Sequence, residues 1–209
     1  MVRVKICGIT SPADALAAID AGANLLGFNF YKKSPRYITE ADAAKIRRRI
    51  PARVQTVGIF VNAPPADVAE LCRSLKLDLA QLHGDESPET VAEVARTIPV
   101  IKAFSLEPEF PLSTLDEYPE AFAYLFDAAN SDQYGGTGRT TEWDVARRAA
   151  LTRRIILAGG LKVGNVGEAV RIVRPYAVDV ASGVEFKPGK KDHARMRDFV
   201  QAVRRVGRK

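Results

Sequence analysis

The chain has 209 residues, with 46% apolar and 27% charged residues, values close to those of ordinary globular domains. This composition excludes a disordered chain, a collagen and a coiled coil. The opening residues carry neither the apolar region nor the cleavage site of a signal peptide, and no apolar run reaches the roughly 18 residues that a membrane span needs. We therefore expect one domain, residues 1–209, that is cytoplasmic and has no membrane partner.

Short apolar runs alternate with amphipathic stretches along the whole chain, which is typical of parallel β/α units. Helix starts are marked by capping residues, Ser11, Thr39 and Ser87. The least regular helix is predicted over residues 112–118. The eight strands are predicted at 2–7, 24–30, 54–61, 77–82, 100–104, 123–127, 155–158 and 177–181.

Eight such units can close into a barrel or open into a doubly wound sheet. A doubly wound sheet would carry a Gly-x-Gly-x-x-Gly fingerprint after the first strand, and the first loop, residues 7–10, has none. We therefore predict a single-domain (β/α)8 TIM barrel with parallel strands. In such barrels the active site is built from the loops that follow the C-terminal strand ends.

The charge pattern bears on possible partners. The 31 basic and 25 acidic residues give a net charge of +6. The arginine clusters at 47–49, 147–148, 153–154 and 204–205 lie in or beside helical patterns, where a solvated outer face is expected. No aromatic residues interleave them, so we expect no nucleic-acid partner. Two cysteines without a spacing motif predict neither a disulfide nor a metal site.

Several reactive side chains fall at the ends of predicted strands. Cys7 ends the first strand, beside the predicted start of a helix, and a helix start lowers the pKa of a nearby thiol. The alternative is that Cys7 is only a small buried apolar residue. Asp127 ends the sixth strand and is suited to donate a proton, or to cap a helix. His83 ends the fourth strand as an acid, a base or a loop-bonded residue. Asp179 lies inside the eighth strand and needs a partner.

Glycine-rich segments predict a phosphate site. They occur after the sixth strand, with Gly138, and after the seventh and eighth strands, with Gly160 and with Ser182 and Gly183. Phosphate sites of barrels lie in the loops after the last two strands. Arg36 follows Pro35 in the second loop and could clamp a planar carboxylate, or be an ordinary solvated arginine.

These segments together resemble the phosphoribosylanthranilate isomerase family. The resemblance covers nearly the whole chain, in order. It rests on the motifs at 5–10, 27–28, 34–36, 57–62, 81–84, 126–127, 135–138, 157–161, 179, 183–185 and 188–192. Two departures are visible: Thr141-Glu142-Trp143 stands where the family usually has Phe-Asp-Trp, and Ala181 stands where it usually has serine. They affect only phosphate or loop packing.

The resemblance implies an aldose–ketose isomerase of tryptophan biosynthesis, which converts N-(5-phosphoribosyl)anthranilate to 1-(2-carboxyphenylamino)-1-deoxy-D-ribulose 5-phosphate. It implies Cys7 as base and Asp127 as acid. It also implies Arg36 on the anthranilate carboxylate, and a phosphate cradle formed by Gly138, Gly160, Ser182 and Gly183. His83 and Asp179 are further substrate-binding candidates. No cofactor is expected, because proton transfers suffice, and the chain is expected as a monomer or homodimer.

Two alternatives stay open. A related aminoaldose isomerase of the histidine pathway runs the same chemistry on the same barrel, with paired aspartates where this chain has Cys7. A non-catalytic barrel that binds phosphate or RNA would instead show affinity for RNA that weakens with salt.

Overall fold

A computed structural model describes residues 1–127 and 141–206. Eight parallel strands close into a barrel in chain order, with β8 pairing back to β1. The TIM-barrel prediction is confirmed, and each predicted strand is found within two residues of its expected ends. The strands are β1 Arg3–Ile6, β2 Leu25–Asn29, β3 Gln55–Phe60, β4 Leu79–Leu82, β5 Val100–Ser105, β6 Ala123–Asp127, β7 Ile155–Ala158 and β8 Ala177–Val180.

Helices connect the strands on the outside of the barrel. The three predicted caps are confirmed, since the side chains of Ser11, Thr39 and Ser87 each accept a hydrogen bond from a backbone amide three residues on. The helices are α1 Pro12–Ala21, α2 Glu40–Arg47, α3 Pro65–Ser74, α4 Pro88–Ala95, α5 Thr141–Ala150, α6 Val166–Val173 and α7 His193–Val206.

Two connections depart from a regular helix. The segment between β5 and β6 forms a 3-10 helix, Leu112–Glu117, in place of the predicted helix over 112–118. A second 3-10 helix, Ser182–Val184, follows β8 directly. It leads into an antiparallel hairpin of β9 Glu185–Lys187 and β10 Lys190–Lys191, which the sequence pattern did not predict.

Apolar side chains fill two layers. One lies inside the barrel and includes Leu25, Val57, Leu79, Ile101 and Leu125, and the other lies between the strands and the helices. Because alternate residues of a strand face opposite sides, the inward sets of several strands end in polar residues near the C-terminal edge, including Asn29, Gln81, Asp127 and Asp179. The apolar floor therefore supports a polar site at that edge, as in barrels generally.

The arginine clusters lie on the outer surface, as predicted. Arg148, Arg154 and Arg205 are exposed, and each belongs to a different cluster. No helix in the described ranges is long and apolar enough to cross a membrane. The division into a single domain, residues 1–209, stays a prediction.

Candidate active site

A cavity of about 620 Å³ opens at the C-terminal ends of the barrel strands. It brings together Cys7, Arg36, His83, Asp127 and Asp179, five of the predicted site residues, with Gly160 and Ser182 also on its wall. A larger depression of about 970 Å³ lies at the opposite end of the barrel. Its lining of aliphatic residues, arginines and Tyr176 provides no nucleophile or buried acid. The smaller cavity is therefore the candidate active site.

Cys7 follows β1 directly and stays within the barrel wall, because its amide donates to the carbonyl of Val180 at 2.9 Å. The absence of a side chain at Gly27 on the neighbouring strand leaves room for the thiol, since a Cβ there would lie 3.1 Å from Sγ. The thiol is partly exposed to the cavity. Its position is thus fixed by backbone pairing on one side and by a glycine on the other.

The electrostatic setting of Cys7 differs from the expectation. Burial is the largest influence and raises the pKa of the thiol above its ordinary value, although the positive charges of Lys5 and Lys191 act against it. The predicted lowering by a helix start is wrong. The reason is that burial of the thiol by distant parts of the chain outweighs the effects that lower its pKa.

Asp179 has the partner that a charged residue inside a strand requires. Its Oδ2 accepts a hydrogen bond from Nζ of Lys5 at 2.8 Å, and the Lys5 side chain is 0% exposed. Its Oδ1 is buried and has no hydrogen-bond partner in residues 1–127 and 141–206. Because Asp179 also lines the cavity, that oxygen is an acceptor that a bound molecule can use.

Asp127 lies at the end of β6, across the cavity from Cys7. Its Oδ2 is 3.7 Å from Nε2 of His83, an ion pair only when the histidine is protonated. Nδ1 of His83 lies 2.7 Å from the amide nitrogen of Gln81. When that amide donates, the neutral ring carries its proton on Nε2, facing Asp127.

Arg36 is held by a residue that the sequence did not single out. Its Nε and Nη2 donate to the two carboxylate oxygens of Glu185 at 2.8 and 2.7 Å. Burial alone would raise the pKa of Glu185, but the hydrogen bonds from Arg36 and Lys191 outweigh it and hold that pKa below its ordinary value. One side of the guanidinium is therefore occupied, while Nη1 is left for the cavity.

The loops after β7 and β8 meet at the same edge. Gly159 and Gly160 have φ angles of 79° and 60°, a region that glycine adopts without strain. A Cβ on Gly183 would overlap the carbonyl oxygen of Leu161, so glycine is what allows these two loops to approach each other. Asn165 fixes the first loop by donating to the carbonyl of Gly160 at 3.0 Å. Gly138, the remaining predicted member, lies outside the described residues.

The residues that the sequence analysis missed are the charge partners: Lys5, Glu185 and Lys191. Only Lys5 carried a local signal, because a lysine two residues before Cys7 on a strand must face the same side of the sheet. His193, at the start of α7, is half-exposed and pairs with Asp14 at 2.8 Å, away from the cavity. Within the described ranges, no group of three or more acidic, histidine or cysteine residues is arranged to hold a metal ion.

Comparisons of the sequence and the structure with known proteins lead to one family. Residues 4–202 match the family model described as N-(5'phosphoribosyl)anthranilate (PRA) isomerase. The chain belongs to this family.

Individual relatives of the PRA isomerase family match over the whole chain. The isomerase of Geobacter sulfurreducens is 52% identical, covering 98% of this chain and 99% of the relative. The crystal structure of phosphoribosyl anthranilate isomerase from Thermotoga maritima has a TM-score of 0.89 at 41% identity, covering 98% of this chain and 99% of its own. A second structure of the family has a TM-score of 0.87 at 39% identity, with coverage of 98% and 99%. It is a complex with reduced 1-(o-carboxyphenylamino)-1-deoxyribulose 5-phosphate.

Proposed function

We propose that the chain catalyses the Amadori rearrangement of N-(5-phosphoribosyl)anthranilate to 1-(2-carboxyphenylamino)-1-deoxy-D-ribulose 5-phosphate in tryptophan biosynthesis. The observation that carries this proposal is that Cys7 and Asp127, from β1 and β6, line a single cavity. Acid and base must face the substrate from different sides, and two strands that are not neighbours in the barrel provide this arrangement. Family membership supplies the substrate class.

The reaction opens with the acid. Asp127 protonates the ring oxygen of the ribose, the bond from that oxygen to C1 breaks, and the nitrogen lone pair forms an iminium with C1. His83 contacts the acid through the 3.7 Å approach of Nε2 to Oδ2, and its ring reaches into the same cavity. We assign His83 to substrate binding on the acid side.

The base acts next. The thiolate of Cys7 removes the proton from C2, and the electrons neutralise the iminium to give an enolamine. The C2 hydroxyl then becomes the ketone as C1 takes up a proton, so that no atom is gained or lost. These transfers involve protons alone, which is why a metal or organic cofactor has no assigned step.

The remaining residues bind the ends of the substrate. Arg36 presents Nη1 for the anthranilate carboxylate while Glu185 fixes its orientation. Gly160, Ser182 and Gly183 offer backbone amides to the phosphate, with Gly138 as a further candidate. The unpartnered Oδ1 of Asp179 accepts a hydrogen bond from a sugar hydroxyl. A cavity of about 620 Å³ is in the range that holds a small organic ligand.

The proposal includes the setting of the enzyme. We infer a cytoplasmic enzyme whose partner is a small phosphorylated molecule, with no role for nucleic acid, and a monomer or homodimer. The exposed arginines of the outer surface are spread over several helices and loops. A nucleic-acid binding surface would need them clustered on one face, so an ordinary solvated surface is favoured.

The decisive experiment measures product formation from freshly generated phosphoribosylanthranilate. Cys7→Ser and Asp127→Asn should each lower kcat by about 10² to 10⁴. Cys72→Ala and Asp116→Asn, which alter a buried thiol in α3 and a surface carboxylate, should keep wild-type rates.

The same assay with the histidine-pathway aminoaldose discriminates the nearest alternative. Preference for that substrate, or activity that survives both Cys7→Ser and Asp127→Asn, would contradict the assignment.

A further inference from the structure

Lys5 is a fully buried lysine on the floor of the candidate active site. Its side chain is 0% exposed inside the barrel, and burial by itself lowers the pKa of its ammonium. The carboxylate of Asp179, 2.8 Å from Nζ, outweighs burial and raises the pKa of Lys5 above its ordinary value. A lysine is rarely fully buried unless it is paired, and Asp179 provides that pairing.

The charges around Cys7 are not balanced. Lys5 pairs with Asp179, while Arg36 and Lys191 share Glu185, each at 2.8 Å or less. Three cations therefore share two carboxylates, which leaves this cluster with one excess positive charge. A thiolate on Cys7 is the group that would complete the balance.

The geometry singles out Lys5 among the three cations. It lies two residues before Cys7, so both side chains point to the same face of the barrel wall. Asp179, on the paired strand β8, is opposite Lys5 in register and anchors its ammonium. Arg36 and Lys191 pair with Glu185 and come from other elements, so Lys5 is the cation that shares the strand of Cys7.

We propose that Lys5 is a positioning residue that holds a fixed positive charge beneath Cys7 and stabilises the thiolate form of this base. The inference rests on the proposed function for its purpose, since a thiolate is what removes the C2 proton. Lys5 keeps its own proton throughout. Cys7 releases its thiol proton to solvent, and the thiolate then accepts the proton from C2, with the charge of Lys5 unchanged.

The charged groups that act on the thiol come from several elements. Lys5 lies on β1 and Asp179 on β8, while Lys191 lies on β10 and Arg36 in the loop after β2. Across the cavity stands Asp127. Among the cations, the charge of Lys5 has the largest effect in lowering the pKa of Cys7, whereas the carboxylate of Asp179 raises it.

The test titrates the Cys7 thiol in substrate-free protein by ultraviolet absorbance of the thiolate, with Cys7→Ala as the blank. Cys72 does not interfere, because burial raises its pKa to about 12. Lys5→Gln keeps a hydrogen-bond donor but removes the charge, and Lys5→Met removes both. Each should raise the pKa of Cys7 by about one pH unit or more and lower kcat at least about tenfold, whereas KM changes little.

The matched control is Lys102→Met. Lys102 is also a buried lysine paired with a carboxylate, Glu86 at 2.9 Å, but it lies on β5 away from the thiol. This variant should lose stability without moving the pKa of Cys7. Lys5→Arg keeps the positive charge, so its Cys7 thiol should have a pKa close to the wild-type value and well below that in Lys5→Gln.

A thiol pKa that is unchanged in folded Lys5→Gln or Lys5→Met would overturn the proposal. Where those variants do not fold, the wild type supplies the test: the nitrogen chemical shift of the Lys5 ammonium should move as the thiol titrates, and should not do so in Cys7→Ser. No such movement would also overturn it. Because neither titration uses substrate, an inactive wild type would refute the proposed function without affecting the Lys5 result.

Discussion

The guanidinium of Arg36 and the carboxylate of Glu185 meet through two parallel hydrogen bonds, Nε to Oε1 at 2.8 Å and Nη2 to Oε2 at 2.7 Å. Glu185 comes from the hairpin after β8, whereas Arg36 follows β2, so the contact joins distant parts of the chain. It fixes the direction in which the guanidinium faces the cavity. A flexible surface arginine would have to be ordered by the substrate at a cost in binding.

Arg36→Lys keeps the charge but loses the planar fork. We expect KM to rise about 10-fold to 100-fold with a smaller change in kcat, because a charge-assisted hydrogen bond contributes about 1.5–3 kcal/mol to binding. Steady-state kinetics checks this result. Arg153→Lys, at an exposed ion pair with Asp116, is the control and should leave KM unchanged. A KM that stays at the wild-type value in Arg36→Lys would remove the carboxylate clamp from the proposal.

The two thiols should differ in reactivity in a pH-dependent way. The thiolate is the reactive form, and burial raises the pKa of Cys7 above its ordinary value, so alkylation by iodoacetamide should be slow at neutral pH. The rate should rise about tenfold per pH unit and continue to rise past pH ~9, the ordinary range of a thiol. Cys72 should not react in the folded protein, because it is buried and its pKa is about 12. Mass spectrometry assigns the modified site. An alkylation rate that levels off near neutral pH would contradict a raised pKa of Cys7.

A methyl group at Gly27 should displace the base. The Cβ of Gly27→Ala would lie 3.1 Å from Sγ of Cys7 and 3.0 Å from Cδ1 of Ile59, closer than ordinary contacts. A small misplacement of a reacting group costs up to about 100-fold in rate, so kcat should fall about 10-fold to 100-fold. Kinetics on protein with an intact far-ultraviolet circular dichroism spectrum tests this.

The control for that substitution is Gly167→Ala, in α6. The nearest atom to its Cβ would be 3.7 Å away, so alanine fits without strain. Full activity is expected, with a gain of about 0.5 kcal/mol in the free energy of unfolding from the better helix former. Equal loss of activity in both alanine variants would show that Gly27 has no special relation to the thiol.

Glu86 should be important for stability. Its carboxylate accepts from Nζ of Lys102 at 2.9 Å and from the amides of Asn62 and Gly84, and the Lys102 side chain is only 3% exposed. Glu86→Gln leaves a buried ammonium without a carboxylate, and a cost of about 3–5 kcal/mol in unfolding free energy is expected. Urea unfolding measures it. Glu168→Gln, at an exposed pair with Arg171, should change the free energy of unfolding by less than about 1 kcal/mol. Similar losses of stability in Glu86→Gln and Glu168→Gln would contradict the prediction that the buried pair matters more.

Local patterns in the sequence were sufficient for the scaffold. Apolar runs marked the eight strands, and Ser11, Thr39 and Ser87 marked helix starts, because these signals depend on residues within one turn or one strand. The order of the strands followed from counting β/α units. The sequence of the short hairpin after β8 shows no apolar alternation, and for that reason the hairpin was not predicted.

The candidate site was also predictable only where its signals were local. Cys7 and Asp127 could be placed at the mouth because each ends a strand, and the structure brings them to one cavity. The charge environment could not be predicted, since Glu185 is 149 positions from Arg36 and Asp179 is 174 from Lys5. Burial by distant parts of the chain also reversed the expected direction of the Cys7 pKa.

Closure of β1 against β8 has a consequence for synthesis of the protein. Cys7 leaves the ribosome long before Val180 and Lys191, yet its amide donates a hydrogen bond to the carbonyl of Val180 and the charge of Lys191 acts on its thiol. A nascent chain that stops short of these residues contains Cys7, Lys5 and Gly27 but lacks Asp179, Val180 and Lys191. Unfinished copies that end before residue 179 are therefore expected to carry an exposed thiol, and the proposed base acquires its environment only when residues 179–191 have folded against β1.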